Sequence, residues 1–139
     1  MKTYRVSLIL LALAMILSAC GGGGAASNDD PAVTVIEGMD AAWNAKDLDA
    51  VMALFADDAV ETNGLGTFTG KDQIRSVYES AIQTFSQDCK NYKVDGNTVT
   101  YECFLQAYSG TNTSIEYYES VVENGLIKSN KLTGANRNP

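Results

Sequence analysis

The hydrophobic positions in the first half of the chain follow a helical period. Apolar residues recur every three to four positions over residues 35–43, which predicts a first helix over residues 32–45 with Pro31 in its first turn. A second apolar stripe over residues 48–55 follows Asp47, whose side chain can accept a hydrogen bond at a helix N-terminus. This pattern predicts a second, short helix capped by Asp47.

The clearest helical stripe occupies residues 74–85, and it predicts a third helix that begins near residues 69–72. After Ser86 the period changes from 3.6 to 2, which is typical of strands. We predict strands over residues 59–62, 91–94, 98–108, 114–122 and 126–132. Three helices followed by several antiparallel strands indicate an α+β fold. We expect residues 134–139, which have little to bury, to form a frayed tail.

Two cysteines flank the turn predicted at residues 95–97. A three-residue loop at this turn would place Cys89 opposite Cys103 and Lys90 opposite Glu102 in a single register, whereas a two-residue turn would misalign the cysteines. Because the two pairings agree, we predict the longer loop and a structural disulfide, which would stabilise the fold by roughly 3 kcal/mol. The alternative is a redox pair, but the spacing lacks the CxxC geometry.

The N-terminus has the organisation of an export signal. Two basic residues precede an apolar run over residues 6–17 that is too short to span a bilayer, and small residues follow it, as in a secretory signal peptide. Residues 17–20 (LSAC) resemble the lipobox of bacterial lipoproteins. The resemblance implies that residues 1–19 are removed and that Cys20 is lipidated. The alternative is an ordinary secretory signal with an incidental cysteine.

Residues 20–31 contain four consecutive glycines and few apolar side chains, which predicts a flexible tether. A phosphate-binding glycine loop would need a preceding strand and a following Lys-Ser/Thr, and both are missing. Several acyl chains on Cys20 would make the lipid bilayer a durable partner. In enterobacterial lipoproteins, a residue other than Asp after the lipidated cysteine favours the outer membrane. With Gly21 at this position, the resemblance implies a place in the bacterial cell envelope, on the outer membrane facing the periplasm rather than on the inner membrane.

Composition excludes several kinds of chemistry. The 139 residues include 10 Lys+Arg, 17 Asp+Glu and no histidine, with a net charge of −7. One domain is expected at this length, and the negative charge argues against a nucleic-acid partner. The lack of histidine removes Ser-His-Asp and Cys-His catalysis and imidazole metal sites. Asp57-Asp58 alone is too few ligands for calcium, so we expect no metal and no cofactor.

Three segments together resemble a known family. Residues 42–60 (AWNAKDLDAVMALFADDAV) resemble the second helix and following strand of the SnoaL-like group of the nuclear transport factor 2-like superfamily. Residues 69–74 (TGKDQI) are similar to the start of its third helix, and residues 121–127 (VVENGLI) to its final hairpin. The resemblance covers a domain over residues 32–133. It implies three N-terminal helices packed on a strongly curved antiparallel sheet that forms a cone with an internal pocket.

The resemblance does not supply a complete catalytic set. Superfamily members include ketosteroid isomerases, polyketide cyclases, dehydratases and non-catalytic binders. The position of the isomerase base falls at Asn63, whose amide cannot accept a proton, and the oxyanion donors fall near Met39 and Tyr117. Dehydratases of the fold use histidine, which this sequence lacks. Epoxide hydrolases of the fold use an Asp-Arg-Asp set. Arg75 is the one arginine in the domain, and no complete set is found around it.

Candidate site residues follow from what is left. Among the acids, Glu102 is explained by Lys90 and Glu119 by solvent exposure on its strand, so Glu61 is the least explained. Glu61 and Asn63 are therefore weak catalytic candidates. The resemblance and the aromatic content suggest a ligand pocket lined by Met39, Trp43, Phe55, Asn63, Tyr78, Tyr101 and Tyr117.

Three hypotheses remain for the function. The first is a membrane-anchored domain that binds a small apolar ligand or a partner's side chain, without catalysis. The second is an enzyme that acts on a small hydrophobic substrate through Glu61, Asn63 and a tyrosine, and a cavity lined by tyrosines and one perturbed acid would favour it. The third is a homodimeric interaction module that uses a sheet face, which a filled interior and an exposed apolar patch would favour.

Overall fold

The computed structural model describes residues 29–110 and 112–138. The predicted signal peptide, Cys20 and most of the predicted tether lie outside the described residues. Within the described ranges, no helix is long and apolar enough to cross a membrane.

In the part of the chain that the structure describes, three helices form close to where the apolar stripes predict them. They are α1 (Pro31–Asn44), α2 (Leu48–Ala53) and α3 (Lys71–Thr84). Asp30 caps α1 by accepting the Ala32 backbone N–H at 2.9 Å, and Pro31 begins the helix as expected. Asp47 caps α2 through the Ala50 N–H, also at 2.9 Å. The capping prediction at Asp47 is confirmed.

Over residues 29–110 and 112–138, six strands form one sheet in the order β2-β1-β6-β5-β4-β3. The strands are β1 (Phe55–Asn63), β2 (Gly66–Thr69), β3 (Phe85–Asp95), β4 (Thr98–Ala107), β5 (Thr113–Glu123) and β6 (Leu126–Asn138). The sheet is mixed, because β1 and β6 pair in parallel, and the expectation of an antiparallel sheet is wrong at this pairing. Parallel neighbours need a long connection between them, and here α3 and four strands supply it.

Several predictions of strand extent are wrong. The strand predicted over residues 91–94 is the longer β3, which begins at Phe85 directly after α3. The first strand begins at Phe55 directly after α2, well before the predicted start at residue 59, and β2 was not predicted because most of its side chains are exposed. Residues 134–138 do not fray but continue β6 along β5, with Gly134 opposite Tyr117 and Arg137 opposite Ser114. Backbone hydrogen bonds to β5 hold this segment although it has few apolar side chains.

The β3–β4 hairpin contains the predicted disulfide but reaches it by a different register. Cys89 lies opposite Cys103 and Lys90 opposite Glu102, and the two sulfurs are bonded. The turn itself has two residues and pairs Asp95 with Thr98, so the predicted three-residue loop is wrong. A bulge between Lys90 and Lys93 shifts the register and brings the cysteines into opposition.

The core lies between the helices and one face of the sheet. Helix α1 contacts β3, β4 and β5, while α3 contacts β1, β2 and β3. The largest fully buried apolar side chains of this core are Phe55, Ile36, Ile74, Ile82 and Ile127. Among the described residues, three polar side chains are also buried, Glu61, Ser120 and Asn130, and all three come from strands. Buried polar groups need partners, so these three residues direct attention to one part of the interior.

Candidate functional site

A cavity of about 630 Å³ lies between the helices and the sheet. Its buried end is formed by Glu61, Tyr78, Tyr101 and Asn130, each of which keeps less than a tenth of its surface exposed. Its other end is formed by exposed residues, among them Leu65 in the β1–β2 turn, which is 81% exposed. The cavity therefore has a buried floor and an opening to solvent.

Aromatic rings form much of the cavity wall. The rings of Trp43 and Tyr78 meet edge to face, with centroids 5.2 Å apart. On the sheet side, Tyr101 stacks on Tyr118 at 5.6 Å. The Trp43 indole N–H donates to the Phe85 backbone carbonyl at 2.9 Å, which fixes the orientation of the ring. Large, oriented rings give a ligand contact area at little entropic cost.

Glu61 provides the carboxylate at the cavity floor. The residue is 2% exposed, and alternation along β1 turns it to the same face as the buried Ala59. Its Oε2 accepts hydrogen bonds from the Tyr78 hydroxyl at 2.8 Å and from the Asn130 amide at 2.9 Å. Among the described residues, its Oε1 accepts a single, long hydrogen bond from the Asn63 amide, at 3.4 Å. The two oxygens of one carboxyl group therefore have unequal surroundings.

Burial raises the pKa of the Glu61 carboxyl from 4.5 to about 7. The hydrogen bonds from Tyr78, Asn130 and Asn63 act in the opposite direction, and the nearby Glu116 carboxylate adds a small further increase. Desolvation is the largest of these effects, so Glu61 exchanges its proton near neutral pH. A carboxyl group with this property can either donate or accept a hydrogen bond at the cavity floor.

A second set of hydrogen bonds orients Asn130 toward Glu61. The Asn130 Oδ1 accepts from the Ser120 hydroxyl at 2.7 Å and from the Tyr101 hydroxyl at 3.0 Å. With both donors on the oxygen, the amide nitrogen is left to donate to Glu61. Burial raises the pKa of Tyr78 and of Tyr101, so both phenols keep their protons. Tyr78 of α3 and Asn130 of β6 therefore donate to one carboxylate oxygen, and Tyr101 and Ser120 hold the Asn130 amide in the orientation that allows this.

Glu116 is a second acid on the cavity wall. It comes from β5 and accepts a hydrogen bond from the Tyr118 hydroxyl. Burial, followed by the Glu116 charge, raises the pKa of Tyr118, which therefore remains a donor. Among the described residues that line the cavity, Arg137 of β6 is the one basic residue, and it is exposed.

Comparisons with known proteins agree with this architecture. The family described as SnoaL-like domain matches residues 36–128. The chain belongs to the SnoaL-like domain family. No curated protein matches it in sequence.

Solved structures share the fold of this SnoaL-like domain at low sequence identity. A putative polyketide cyclase from Sinorhizobium meliloti is 18% identical with a TM-score of 0.66, over 72% of this chain and 94% of that one. An NTF2-like protein of unknown function from Cytophaga hutchinsonii is 16% identical with a TM-score of 0.60, over 78% and 90%. TerC, co-crystallised with polyporic acid, is 14% identical with a TM-score of 0.65, over 74% and 90%.

The structure places most of the sequence-derived candidates of the SnoaL-like domain on one cavity. The candidates that line it are Met39, Trp43, Glu61, Asn63, Tyr78 and Tyr101. Phe55 does not line it, because it is fully buried at the start of β1, where its ring packs against Tyr78. Tyr117 is 41% exposed on the other face of the sheet, because its neighbour Tyr118 takes the inward position on β5.

Several site residues were missed by the sequence analysis. Asn130 lies in a polar stretch, Lys-Ser-Asn-Lys, that suggests an exposed strand. Ser120 and Glu116 alternate with outward residues on β5 and share the inward face of the buried Val122. Alternation counted back from Val122 could have identified them. A bulge in β6 interrupts the same count toward Asn130.

Proposed function

We propose that this SnoaL-like domain binds a small, mostly apolar molecule with one polar group in its cavity, without catalysis. The observation that carries the proposal is the buried Glu61 carboxyl at the floor of an aromatic-walled cavity of about 630 Å³. Ligand sites commonly have volumes of roughly 300–1,000 Å³ and combine apolar walls with a few placed polar groups. The packing of both α1 and α3 around this space supports the expected cone with an internal pocket.

The hydrogen bonds at the floor favour binding over catalysis. Enolisation chemistry needs a base and also a donor for the developing oxyanion. Each of the cavity phenols Tyr78, Tyr101 and Tyr118 already donates to a protein group. A ligand oxygen would therefore have to displace an internal partner before it received a phenolic proton. This arrangement suits holding a polar group better than stabilising a charge that develops on the ligand.

An enzyme is the second candidate, and a specific observation favours it. A cavity lined by tyrosines and one acid with a shifted pKa is the feature expected to favour an enzyme. Glu61 is such an acid, and tyrosines line the cavity around it. A carboxyl that titrates near neutral pH is a competent general base. Proton exchange with solvent deuterium at the carbon next to a bound ketone, followed by NMR, would reveal this activity. Loss of the exchange in Glu61→Gln would assign it to Glu61.

The membrane anchor is a further part of the proposal. The lipobox-like residues 17–20 support acylation of Cys20 and a position in the bacterial cell envelope, on the outer membrane facing the periplasm. Mass spectrometry of the membrane fraction should give a Cys20 peptide that carries acyl chains. An unmodified Cys20 in a soluble fraction would contradict the anchor.

Homodimerisation through the outer sheet face is the third candidate. Phe104 and Tyr117 expose 37% and 41% of their surface on this face, which supports a contact between two copies. Light scattering after gel filtration would give twice the monomer mass if the face pairs. Tyr117→Lys should then return the mass to that of one chain, whereas a monomeric wild-type protein would remove this candidate.

A cavity-filling substitution tests the binding proposal. Ala81 lines the cavity from α3, and Ala81→Trp would occupy part of its volume. Ala53→Trp, on the exposed end of α2, is the matched control. In the chain from residue 20 with Cys20→Ser, small aromatic alcohols and amines should raise the melting temperature of the wild-type protein and the control but not of Ala81→Trp. Equal responses in both variants would contradict binding in this cavity.

A further inference from the structure

One oxygen of the Glu61 carboxyl is left for a ligand. The two strong donors at the floor, Tyr78 and Asn130, both point at Oε2. Among the described residues, Oε1 accepts one hydrogen bond, from the Asn63 amide at 3.4 Å, which is longer and therefore weaker than a usual bond of roughly 2.7–3.2 Å. Because Glu61 is 2% exposed, bulk water replaces little of the missing pairing. A buried carboxylate with one weakly bonded oxygen is stabilised by a proton or by a cation at that oxygen.

We propose that the cavity selects ligands that carry a protonated amine, with Glu61 Oε1 as the counter-ion. This inference rests on the proposed binding function and names the class of ligand. An ammonium group donates a charge-assisted hydrogen bond, which is roughly twice as strong as a bond between neutral groups. A neutral hydroxyl could fill the same position, but it would leave the carboxylate charge uncompensated.

The rest of the cavity wall favours the same charge. The faces of aromatic rings attract cations, and Trp43, Tyr78, Tyr101 and Tyr118 all line the cavity. The Glu116 carboxylate on β5 adds a second negative charge to the wall. An anionic ligand would meet two carboxylates here and would have to bury its own charge beside them.

The other charged and titratable groups around the cavity do not oppose this selection at neutral pH. Tyr78 on α3 faces Glu61 and keeps its proton, as do Tyr101 on β4 and Tyr118 on β5. Arg137 on β6 is the described cation of the lining, but it is exposed, where solvent screens its charge. From α1 the cavity receives the uncharged Met39 and Trp43.

Three probes of similar size and different charge test the selection. 2-Phenylethylamine, 2-phenylethanol and phenylacetate would be titrated by calorimetry at pH 8 into the chain from residue 20 with Cys20→Ser. We expect the amine to bind at least tenfold more tightly than the alcohol and phenylacetate to bind most weakly. In Glu61→Gln the amine and alcohol should differ by less than threefold. Glu119→Gln, which removes an exposed carboxylate from the other face of β5, should keep the preference.

A pH series on the unmutated cavity gives a test that does not depend on how the variant folds. Because the Glu61 carboxyl titrates near pH 7, its protonation should weaken amine binding by roughly 30-fold between pH 8 and pH 5.5, with little change for the alcohol. Equal or tighter binding of the alcohol or of phenylacetate would overturn the amine assignment while leaving the cavity a binding site. Failure of all three probes to bind would overturn both.

Discussion

Replacement of Glu61 by glutamine should change how the stability of the fold depends on pH. The pKa of this carboxyl is 4.5 in its ordinary state and about 7 in the fold. At about 1.4 kcal/mol per pKa unit, the difference corresponds to about 3 kcal/mol. Below pH 4.5 the group is protonated in both the folded and the unfolded chain, so the free energy of unfolding contains no penalty from it.

The sign follows from which state holds the proton more tightly. Between pH 4.5 and about 7 the folded chain keeps the Glu61 proton while the unfolded chain releases it, so the free energy of unfolding falls as pH rises. Glutamine resembles the protonated acid, because its carbonyl oxygen can accept from Tyr78 and Asn130 as Oε2 does. Glu61→Gln should therefore lack the fall of about 3 kcal/mol that the wild-type protein shows across this range.

Urea denaturation at several pH values between 4.5 and 8 measures this difference. Asp40 needs its own control, because burial raises its pKa from 3.8 to about 6 and its titration acts with the same sign. Asp40→Asn should remove only the part of the fall in unfolding free energy with rising pH that comes from Asp40, and it should keep the part that comes from Glu61. Parallel stability curves for the wild-type protein and Glu61→Gln would refute the reasoning, since they would show that Glu61 titrates alike in the folded and unfolded chains.

Three further predictions concern single features that stabilise the fold or the cavity floor. Tyr78→Phe removes the 2.8 Å hydrogen bond to Glu61, and we expect a loss of about 1–3 kcal/mol in urea denaturation together with a further rise in the Glu61 pKa by NMR; an unchanged pKa would contradict the bond. Reduction of the Cys89–Cys103 disulfide should lower the free energy of unfolding by roughly 3 kcal/mol, and a loss below about 0.5 kcal/mol would show that the closed loop contributes little. Gly125→Ala should cost about 1 kcal/mol because the β5–β6 turn holds this glycine at φ 76°, and equal stability of the variant would contradict that turn.

The helices were predictable because each depends on local features. An apolar stripe and a capping residue such as Asp47 are formed by residues close together in the sequence. They can therefore be recognised without knowing which distant residues pack against them. The disulfide was predictable because two pairings shared one register. The loop length was not, because a bulge between Lys90 and Lys93 compensates for a shorter turn.

The floor of the cavity was only half predictable. Elimination singled out Glu61 as an acid without an explanation, but its partner Asn130 comes from the parallel β1–β6 pairing, which joins residues far apart in the chain. The sequence predicted that Tyr117 lines the ligand cavity, but the residue that does so is the next one along β5. In a strand, a shift of one residue moves a side chain to the opposite face of the sheet. Tyr118 occupies the cavity wall instead.

Direct titration of the Glu61 carboxyl carbon by ¹³C NMR tests the central claim, with and without 2-phenylethylamine. The account predicts a titration midpoint near pH 7 in the free protein, since burial outweighs the hydrogen bonds, and a lower midpoint when the amine is bound. A midpoint near 4.5 that does not respond to the amine would contradict it, because Glu61 would then be a hydrated carboxylate without a role in recognition.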